Sequence, residues 1–414
     1  MEQTLTLGRK RPLGMLAVFG PGLVVMLADT DVGSIITAGQ SGVQWGYRLL
    51  LLQVVLMPIL YMVQELTVRL GIYSGRGHGE LIRDTFGRFW AWVSVAGLAI
   101  AVIGALLTEF SGVAGVGEIY GVPRGISVGL AAATLLVIVL TGSYRRVERV
   151  AITLGLFEFA FFGVVAAAHP NPHEILHDAV RIPIANKDYL YLVAANIGAV
   201  IMPWMIFYQQ SAIADKRLRP EHLAAARWDT AIGSIVTQLI MAAVLVAVAA
   251  TLGKAGAKVS LNTVGDISGA ITPFLGTTWG HLVFGIGIIG AGMVAAIVAS
   301  LALAWGVGEV AGYRRSLEYK PFEARWFYSV YATCVVAGAV LVTVWPNLVS
   351  LNVAVQVMNA LLLPLVLGFL IALAVYSLPE QHRLRGAYLK LVIVVAVLTT
   401  SLGVFGGLQG VGWF

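Results

Sequence analysis

The sequence predicts an all-α integral membrane protein with eleven transmembrane helices. Hydrophobic residues make up 58% of the 414 residues and charged residues only 12%, about half the charged share of a soluble domain. Eleven apolar stretches are suited to crossing about 30 Å of hydrocarbon, and none shows the period-two alternation of a membrane barrel. This composition excludes a soluble enzyme and a disordered scaffold. The net charge of +6 is better explained by basic cytoplasmic loops than by nucleic-acid binding.

Each predicted span is an apolar run that ends at polar residues or at Gly and Pro. The spans are 15–44, 47–72, 89–118, 125–143, 147–168, 188–214, 227–252, 280–311, 325–345, 349–377 and 386–411. Basic residues 9–11 precede the first span without a small-residue cleavage site, so we expect an uncleaved span rather than a signal peptide. The whole chain, 1–414, is interpreted as one transmembrane domain.

The distribution of Lys and Arg predicts the orientation. With the amino terminus in the cytoplasm, 21 of the 27 Lys and Arg residues fall in inner segments, as the positive-inside rule requires. An error of one span would scramble this alternation. We therefore expect a multi-pass protein of a bacterial-type inner membrane, surrounded by the lipid bilayer, with its carboxyl terminus outside.

Two spans, the first and the sixth, are interrupted near their middle. The residues that predict the breaks are Gly20, Pro21, Gly22 and Gly33 in span 1, and Gly198 and Pro203 in span 6. Broken helices at matching positions of two halves indicate inverted repeats with a transport site at the breaks. We expect repeats over 1–168 and 188–377, with 386–411 as an additional helix. The alternative is two kinked structural helices.

Two carboxylates, Asp29 and Asp31, lie half-way across span 1. An ionised Asp at the centre of a bilayer costs about 2.5–3.5 kcal/mol, and neither broken span contains Lys or Arg. A bound cation would offset this cost, helped by the Ser34 hydroxyl and by carbonyl oxygens freed near Ala199. The alternative for each Asp is a protonated or helix-capping side chain.

Met202 adds a possible soft ligand in span 6. A lone Met is usually core packing, but opposite a carboxylate its thioether favours Mn²⁺ or Fe²⁺ over Mg²⁺ and Ca²⁺. Gln356 and Asn359 share one face of span 10 at three-residue spacing. Two roles are open for this pair: the side chains complete the coordination shell of a metal ion, or they hold span 10 against span 1.

These residues give the sequence a resemblance to the NRAMP family of divalent-metal transporters. The matching stretches are Asp31-Val32-Gly33-Ser34, where the family carries Asp-Pro-Gly-Asn, and Met202-Pro203-Trp204, where it carries Met-Pro-His. GPGLVV and QSGVQWGYRLL also resemble the family. The resemblance implies a LeuT-like 5+5 inverted repeat plus one helix. It also implies a metal that is a transported substrate rather than a cofactor, bound by Asp31, Ser34, the Ala199 carbonyl and Met202.

The chain departs from the family where protons are handled. Trp204 replaces a family His, Gln209 or Gln210 replaces a second His, and Leu106 stands where a span-3 Asp precedes Glu109. Because His and acidic side chains move protons in such carriers, these changes predict weak or absent proton coupling. Glu109 is either the remaining proton acceptor or a buried structural carboxyl.

The expected function is a secondary transporter that imports divalent metal cations, with Mn²⁺ and Fe²⁺ favoured, by alternating access. A Mg²⁺ transporter of the same family is the alternative: Asp29 argues for it and Met202 against it. Alternatives of another class are a sodium-coupled amino-acid carrier, whose substrate carboxylate two Asp would repel, and a non-transporting metal sensor. We expect no nucleic-acid partner and no obligate protein partner.

The stretch His173-Glu174-Ile175-Leu176-His177 spells the zinc-protease motif. A protease needs a third ligand and a substrate cleft, and this stretch lies in an external segment of some twenty residues, 169–187. A solvated amphipathic loop is the expectation, and capture of metal is the alternative. Glu65 and Arg69 are expected to form a helical ion pair.

Overall fold

The computed structural model describes residues 20–141, 143–251, 264–266, 268, 276–344, 348–410 and 412. These residues form helices and connecting turns without any strand, which confirms the all-α class. The basic residues 9–11, and Lys254 and Lys258 between the seventh and eighth predicted spans, lie outside the described part of the chain.

Sixteen α-helices are described, and we number them in chain order. They are α1 (Pro21–Asp29), α2 (Val32–Trp45), α3 (Leu50–Ser74), α4 (His78–Phe86), α5 (Arg88–Ile119), α6 (Arg124–Leu140), α7 (Tyr144–Gly155), α8 (Ala160–Ala168), α9 (Pro172–Ala179), α10 (Lys187–Val200), α11 (Pro203–Asp215), α12 (Leu223–Thr251), α13 (Thr277–Ala311), α14 (Arg325–Val344), α15 (Leu348–Tyr376) and α16 (Gly386–Gly410).

The helices lie where the sequence predicts spans, but the count of eleven stays a prediction. From the second span onward, helix ends fall within four residues of the expected bounds. By length and hydropathy, nine helical segments among the described residues are suited to crossing a membrane. This count joins Val32–Ser74 into one segment and leaves out Arg124–Leu140, which has only 17 residues.

Both predicted breaks are present. Between α1 and α2, Thr30 has φ/ψ of −78°/49° and Asp31 has −73°/170°. Between α10 and α11, Ile201 has −121°/85° and Met202 has −97°/139°. Pro203 starts α11, the position where a missing N–H costs no helical hydrogen bond. Each interrupted span is therefore two half-helices joined by two non-helical residues.

Helix α15 packs closely against both interrupted spans, and two glycines permit this. Gly33 is the second residue of α2 and is itself helical. The prediction that Gly33 breaks the span is therefore wrong. A Cβ on Gly33 would overlap the side-chain amide of Gln356, and a Cβ on Gly198 would overlap the backbone carbonyl oxygen of Gln356. Glycine at both positions brings α15 to the junction of the two breaks.

Candidate metal site

Asp31 lies at the first break as the N-cap of α2. Its Oδ1 accepts a hydrogen bond from the backbone N–H of Ser34 at 2.5 Å. Its Oδ2 is buried and has no hydrogen-bond partner in the described part of the protein. One oxygen thus fulfils the capping role, while the other is available to a ligand.

Ser34 joins the two breaks. Its hydroxyl donates to the backbone carbonyl oxygen of Ala199 at 3.0 Å, one residue before α10 ends at Val200. Met202 follows three residues later as the N-cap of α11 and is fully buried. The structure therefore brings Asp31, Ser34 and Ala199 together and places Met202 at the same break as Ala199.

Gln356 and Asn359 line this junction from α15. The Asn359 side-chain amide donates to Gln356 Oε1 at 2.9 Å, and the Gln356 side chain lies next to the Asp31 carboxyl. Gln356 Nε2 and Asn359 Oδ1 are buried with no hydrogen-bond partner among the described residues. Gln356 contacts span 1 at Gly33 and Asp31, and the unpaired polar atoms of both residues fit a ligand role as well, so both predicted roles stay open.

Glu109 on α5 also meets the start of α2. Its Oε2 accepts from the backbone N–H of Val32 at 3.1 Å, and its Oε1 accepts from the Thr108 hydroxyl at 2.9 Å. The carboxyl is close enough to Asp31 to interact with it directly. Two acidic groups at a helix N-terminus are favoured by the helix dipole. The structural role of Glu109 is visible in these bonds, and its role as proton acceptor stays a prediction.

Asp29 has different neighbours from Asp31. Its carboxyl lies next to Thr237 and Gln238 of α12, and neither of its oxygens forms a hydrogen bond within the described residues. The buried carboxyl of Glu158, in the 3-10 turn Leu156–Phe159, lies beside Thr30. The structure thus places Asp29 at a second polar cluster.

The positions that replace the family histidines have structural contacts. Trp204 is fully buried. Gln209 accepts from Thr67 at 2.7 Å and donates to Thr230 at 2.8 Å, and Gln210 accepts from Nδ1 of His78 at 2.8 Å. His78 is in α4, outside the predicted spans, and burial lowers its pKa to about 4.

Three interactions were not predicted from the sequence. Asp229 of α12 accepts from the backbone N–H groups of Gly20, Gly22 and Leu23 at 3.1, 2.9 and 3.2 Å, and so caps α1. The others are the contact of His78 with α11 and the cluster around Glu158. The only sequence signal for the first is a Gly-Pro-Gly helix start that lacks a capping side chain of its own.

A polar cavity of about 1160 Å³ lies at the predicted cytoplasmic end of α11 and α13. It extends inward to Ser211 and Trp305, and Lys216 and Glu148 pair across its wall at 2.8 Å. Charged residues around it include Glu80, Arg145, Arg149, Asp215, Arg217 and Arg315. The cavity provides a water-accessible approach toward the membrane interior.

The zinc-protease motif lies in the eight-residue helix α9, which has no buried residue. Within the described chain, no group of three or more His, Cys, Asp or Glu residues is arranged to hold a metal ion. A metal at Asp31 must therefore use neutral ligands as well. Glu65 and Arg69 form the expected ion pair at 2.9 Å.

Two apolar spans that break beside a buried carboxylate, and that are joined by the hydrogen bond from Ser34 to the Ala199 carbonyl oxygen, are typical of a multi-spanning transporter of the LeuT-like class. The family model described as natural resistance-associated macrophage protein-like (Nramp) matches residues 22–409. The chain therefore belongs to the Nramp family, whose members are transporters rather than enzymes and carry metal as substrate rather than as cofactor.

Individual relatives agree with this assignment. The divalent metal cation transporter MntH of Agrobacterium fabrum is 28% identical over 69% of this chain and 65% of that protein. The chain therefore spans about 65% of the length of that curated relative.

Solved structures show the same fold. The manganese transporter of Eremococcus coleocola superposes with a TM-score of 0.74 at 19% identity, covering 95% of this chain and 86% of the other. Mhp1, a nucleobase-cation-symport-1 family transporter in a closed conformation, superposes with a TM-score of 0.62 at 12% identity, covering 94% and 90%. The predicted LeuT-like fold is thereby confirmed.

Proposed function

We propose that the protein is a secondary transporter that imports divalent metal cations of the Mn²⁺ and Fe²⁺ class across the cell membrane. The observation that carries the proposal is the junction of the two breaks, where Ser34 donates to the Ala199 carbonyl and one buried Asp31 oxygen has no hydrogen-bond partner among the described residues. An ionised carboxylate at this depth is costly, and a nearby positive charge offsets the cost. A divalent cation held by Asp31 supplies that charge.

Met202 sets the preference among cations. Its thioether is a ligand that Mn²⁺ and Fe²⁺ accept more readily than Mg²⁺, and the Eremococcus coleocola protein of the same fold is named a manganese transporter. Neither this protein nor the MntH relative supports the Mg²⁺ alternative. From α15, Asn359 Oδ1 is the further oxygen atom that has no partner among the described residues and is offered to the ion, whereas Gln356 Oε1 accepts from Asn359.

Alternating access follows from the half-helices. Rocking of α1 and α11 about their breaks exposes the junction to one side of the membrane at a time, as inverted repeats over 1–168 and 188–377 allow. Residues 386–411 are an additional helix. Asp229 anchors the inner end of α1 to α12, and the 1160 Å³ cavity at the end of α11 is the release route to the cytoplasm.

Proton coupling is weak or absent in this proposal. The side chain of Gln209 is committed to Thr67 and Thr230, and Trp204 does not titrate. Glu109 is engaged by Val32 and Thr108. Internal acidification that accompanies metal uptake and disappears in Glu109→Gln would contradict this part.

The test is uptake of Mn²⁺ into proteoliposomes that contain a metal-quenched dye, with millimolar Mg²⁺ outside as competitor. We expect Mn²⁺ influx that resists Mg²⁺ and is lost in Asp31→Asn. Asp188→Asn is the matched control, because Asp188 is exposed in the first turn of α10. Absence of Mn²⁺ influx in the wild-type protein would overturn the proposal and leave the amino-acid carrier and the metal sensor.

A further inference from the structure

We propose that the protein contains a second cation site, which binds a hard cation through oxygen atoms only. The site lies between α1, the 3-10 turn Leu156–Phe159 and α12. Its ligands are the carboxyl groups of Asp29 and Glu158 and the side-chain amide oxygen of Gln238. Nothing in this inference requires transport, so it stands or falls separately from the proposed function.

Asp29 supplies the first carboxylate. It is the last residue of α1 and is 1% exposed. Both of its oxygens lack hydrogen-bond partners within the described residues, although the Thr237 and Gln238 side chains lie close by on α12. Both oxygens are therefore free to coordinate an ion.

Gln238 points independently to a ligand. It is fully buried, and neither its amide nitrogen nor its amide oxygen has a partner in the described part of the chain. Buried polar side chains in native proteins are almost always hydrogen-bonded, so an unsatisfied amide next to Asp29 requires an explanation. An ion or its bound water provides one.

Glu158 supplies the second carboxylate. The helix of span 5 tightens into a 3-10 turn at this residue, between α7 and α8, a distortion that often marks functional positions. Glu158 is fully buried, its two oxygens are unpaired among the described residues, and it interacts with Thr30 and with the charge of Asp29. The Thr30 and Thr237 hydroxyls are 2.6 Å apart and connect the two sides of the cluster.

The charges determine the kind of ligand. The ionisable groups that act on Asp29 and Glu158 are these two residues and Asp31, all of them acidic. Carboxylate, amide and hydroxyl oxygens are the donors that Mg²⁺ and Ca²⁺ prefer, and two carboxylates favour a divalent over a monovalent ion. None of the residues of this cluster carries sulfur, which distinguishes the cluster from the break that contains Met202. The residues are Asp29, Thr30, Glu158, Thr237 and Gln238.

The test is the thermal stability of the purified full-length protein in detergent, titrated with Mg²⁺, Ca²⁺ or Na⁺, with K⁺ as the control for ionic strength. We expect the wild-type melting temperature to rise with Mg²⁺ or Ca²⁺. Asp29→Asn and Glu158→Gln should each weaken the apparent affinity by about tenfold or more, whereas Asp31→Asn should retain it. If Na⁺ raises the melting temperature and this rise is weakened in Asp29→Asn and Glu158→Gln, the result supports the oxygen-only site with a monovalent ion.

Three outcomes would overturn the proposal. The first is that no ion stabilises the wild-type protein, which would mean that protons neutralise the two carboxyls. The second is equal stabilisation of the wild-type protein and both carboxyl variants. The third is loss of the Mg²⁺ or Ca²⁺ effect in Asp31→Asn, which would mean a single shared site. If a carboxyl variant fails to fold, Gln238→Leu provides a second test, because it keeps both carboxylates and removes only the amide. An ion affinity equal to that of the wild-type protein would show that Gln238 is not a ligand.

Discussion

The break between α1 and α2 is surrounded by carboxyl groups, whereas the break between α10 and α11 presents the uncharged atoms of Ala199 and Met202. Asp29, Asp31 and Glu109 lie at or beside the first break. The second break presents the Ala199 carbonyl oxygen and Met202. Both breaks have two non-helical residues, so the backbone geometry is similar and the chemistry is not.

This difference separates two tasks that a metal site must perform. The first break supplies negative charge, which attracts every divalent cation. The second break supplies a neutral oxygen and a soft sulfur, which discriminate among them. Changes at the first break should therefore affect all ions together, and changes at the second should affect their ranking.

Removing the charge of the first break should have the largest effect. Asp31→Asn leaves a capping oxygen for Ser34 but removes the counter-charge, so we expect binding of Mn²⁺ and Mg²⁺ to fall together, by about 100-fold for Mn²⁺. Binding measured by isothermal titration, with Asp188→Asn as control, checks this. A loss confined to Mn²⁺ would show that Asp31 acts in selectivity.

Acid should weaken the contact of α4 with α11, on the side of the second break. Burial lowers the pKa of His78 to about 4, below the ordinary value of about 6.5 in the unfolded chain. The unfolded chain thus binds more protons between these values, and the free energy of unfolding falls as pH drops from 6.5 to 4, by about 3 kcal/mol at most. Melting temperatures measured across this range should depend less on pH in His78→Gln.

If the wild-type protein and His78→Gln lose stability in parallel on acidification, another group is responsible. The neutral Gln can still reach Gln210, so the two proteins should have similar melting temperatures at pH 8.

Close packing should matter more at the second break than at the first. A Cβ on Gly198 meets the backbone of α15, whereas a Cβ on Gly33 meets the movable end of the Gln356 side chain. We expect Gly198→Ala to lower the free energy of unfolding by about 1–3 kcal/mol and Gly33→Ala by less. Thermal unfolding of both variants measures this, with Gly163→Ala as control because a Cβ there meets open space. The reverse order would contradict the packing of α15.

Removing the soft ligand should have the smallest effect on binding, and the effect should be confined to the soft ion. Met202→Ala is expected to weaken Mn²⁺ binding by about tenfold and to leave Mg²⁺ binding unchanged. The preference for Mn²⁺ over Mg²⁺ should therefore become smaller. Competition of Mg²⁺ against Mn²⁺ uptake gives the measurement. Met205→Ala, one turn further along α11, is the control. Equal loss of both ions would show that Met202 supports the fold of the break rather than the ion.

The sequence predicted those parts of the site that depend on local signals. Asp31 caps the helix that follows the first break and Pro203 begins the helix that follows the second, and such signals are visible in apolar runs without tertiary information. The side chain of Ser34 was predicted as a ligand, and the structure shows it reaching the other break. Gly33 was misinterpreted because a glycine for close packing and a glycine for a helix break look alike in a sequence.

Contacts between helices that are distant in the chain could not be predicted from the sequence. Glu158 and Gln238 meet Asp29 only because spans 5, 7 and 1 pack together, and neither residue carries a local motif. His78 contacts Gln210, 132 residues away, and Asp229 caps a helix that begins more than 200 residues earlier. No periodicity or spacing encodes such pairings in a single sequence.

Anomalous X-ray scattering from crystals soaked in Mn²⁺ would locate the ion directly. The division between the two breaks predicts a peak within coordination distance of Asp31 Oδ2 and the Met202 sulfur, and no such peak in Asp31→Asn. A Mn²⁺ peak at Asp29 and Glu158, with none at Asp31, would contradict the assignment of the transport site to the junction of the two breaks.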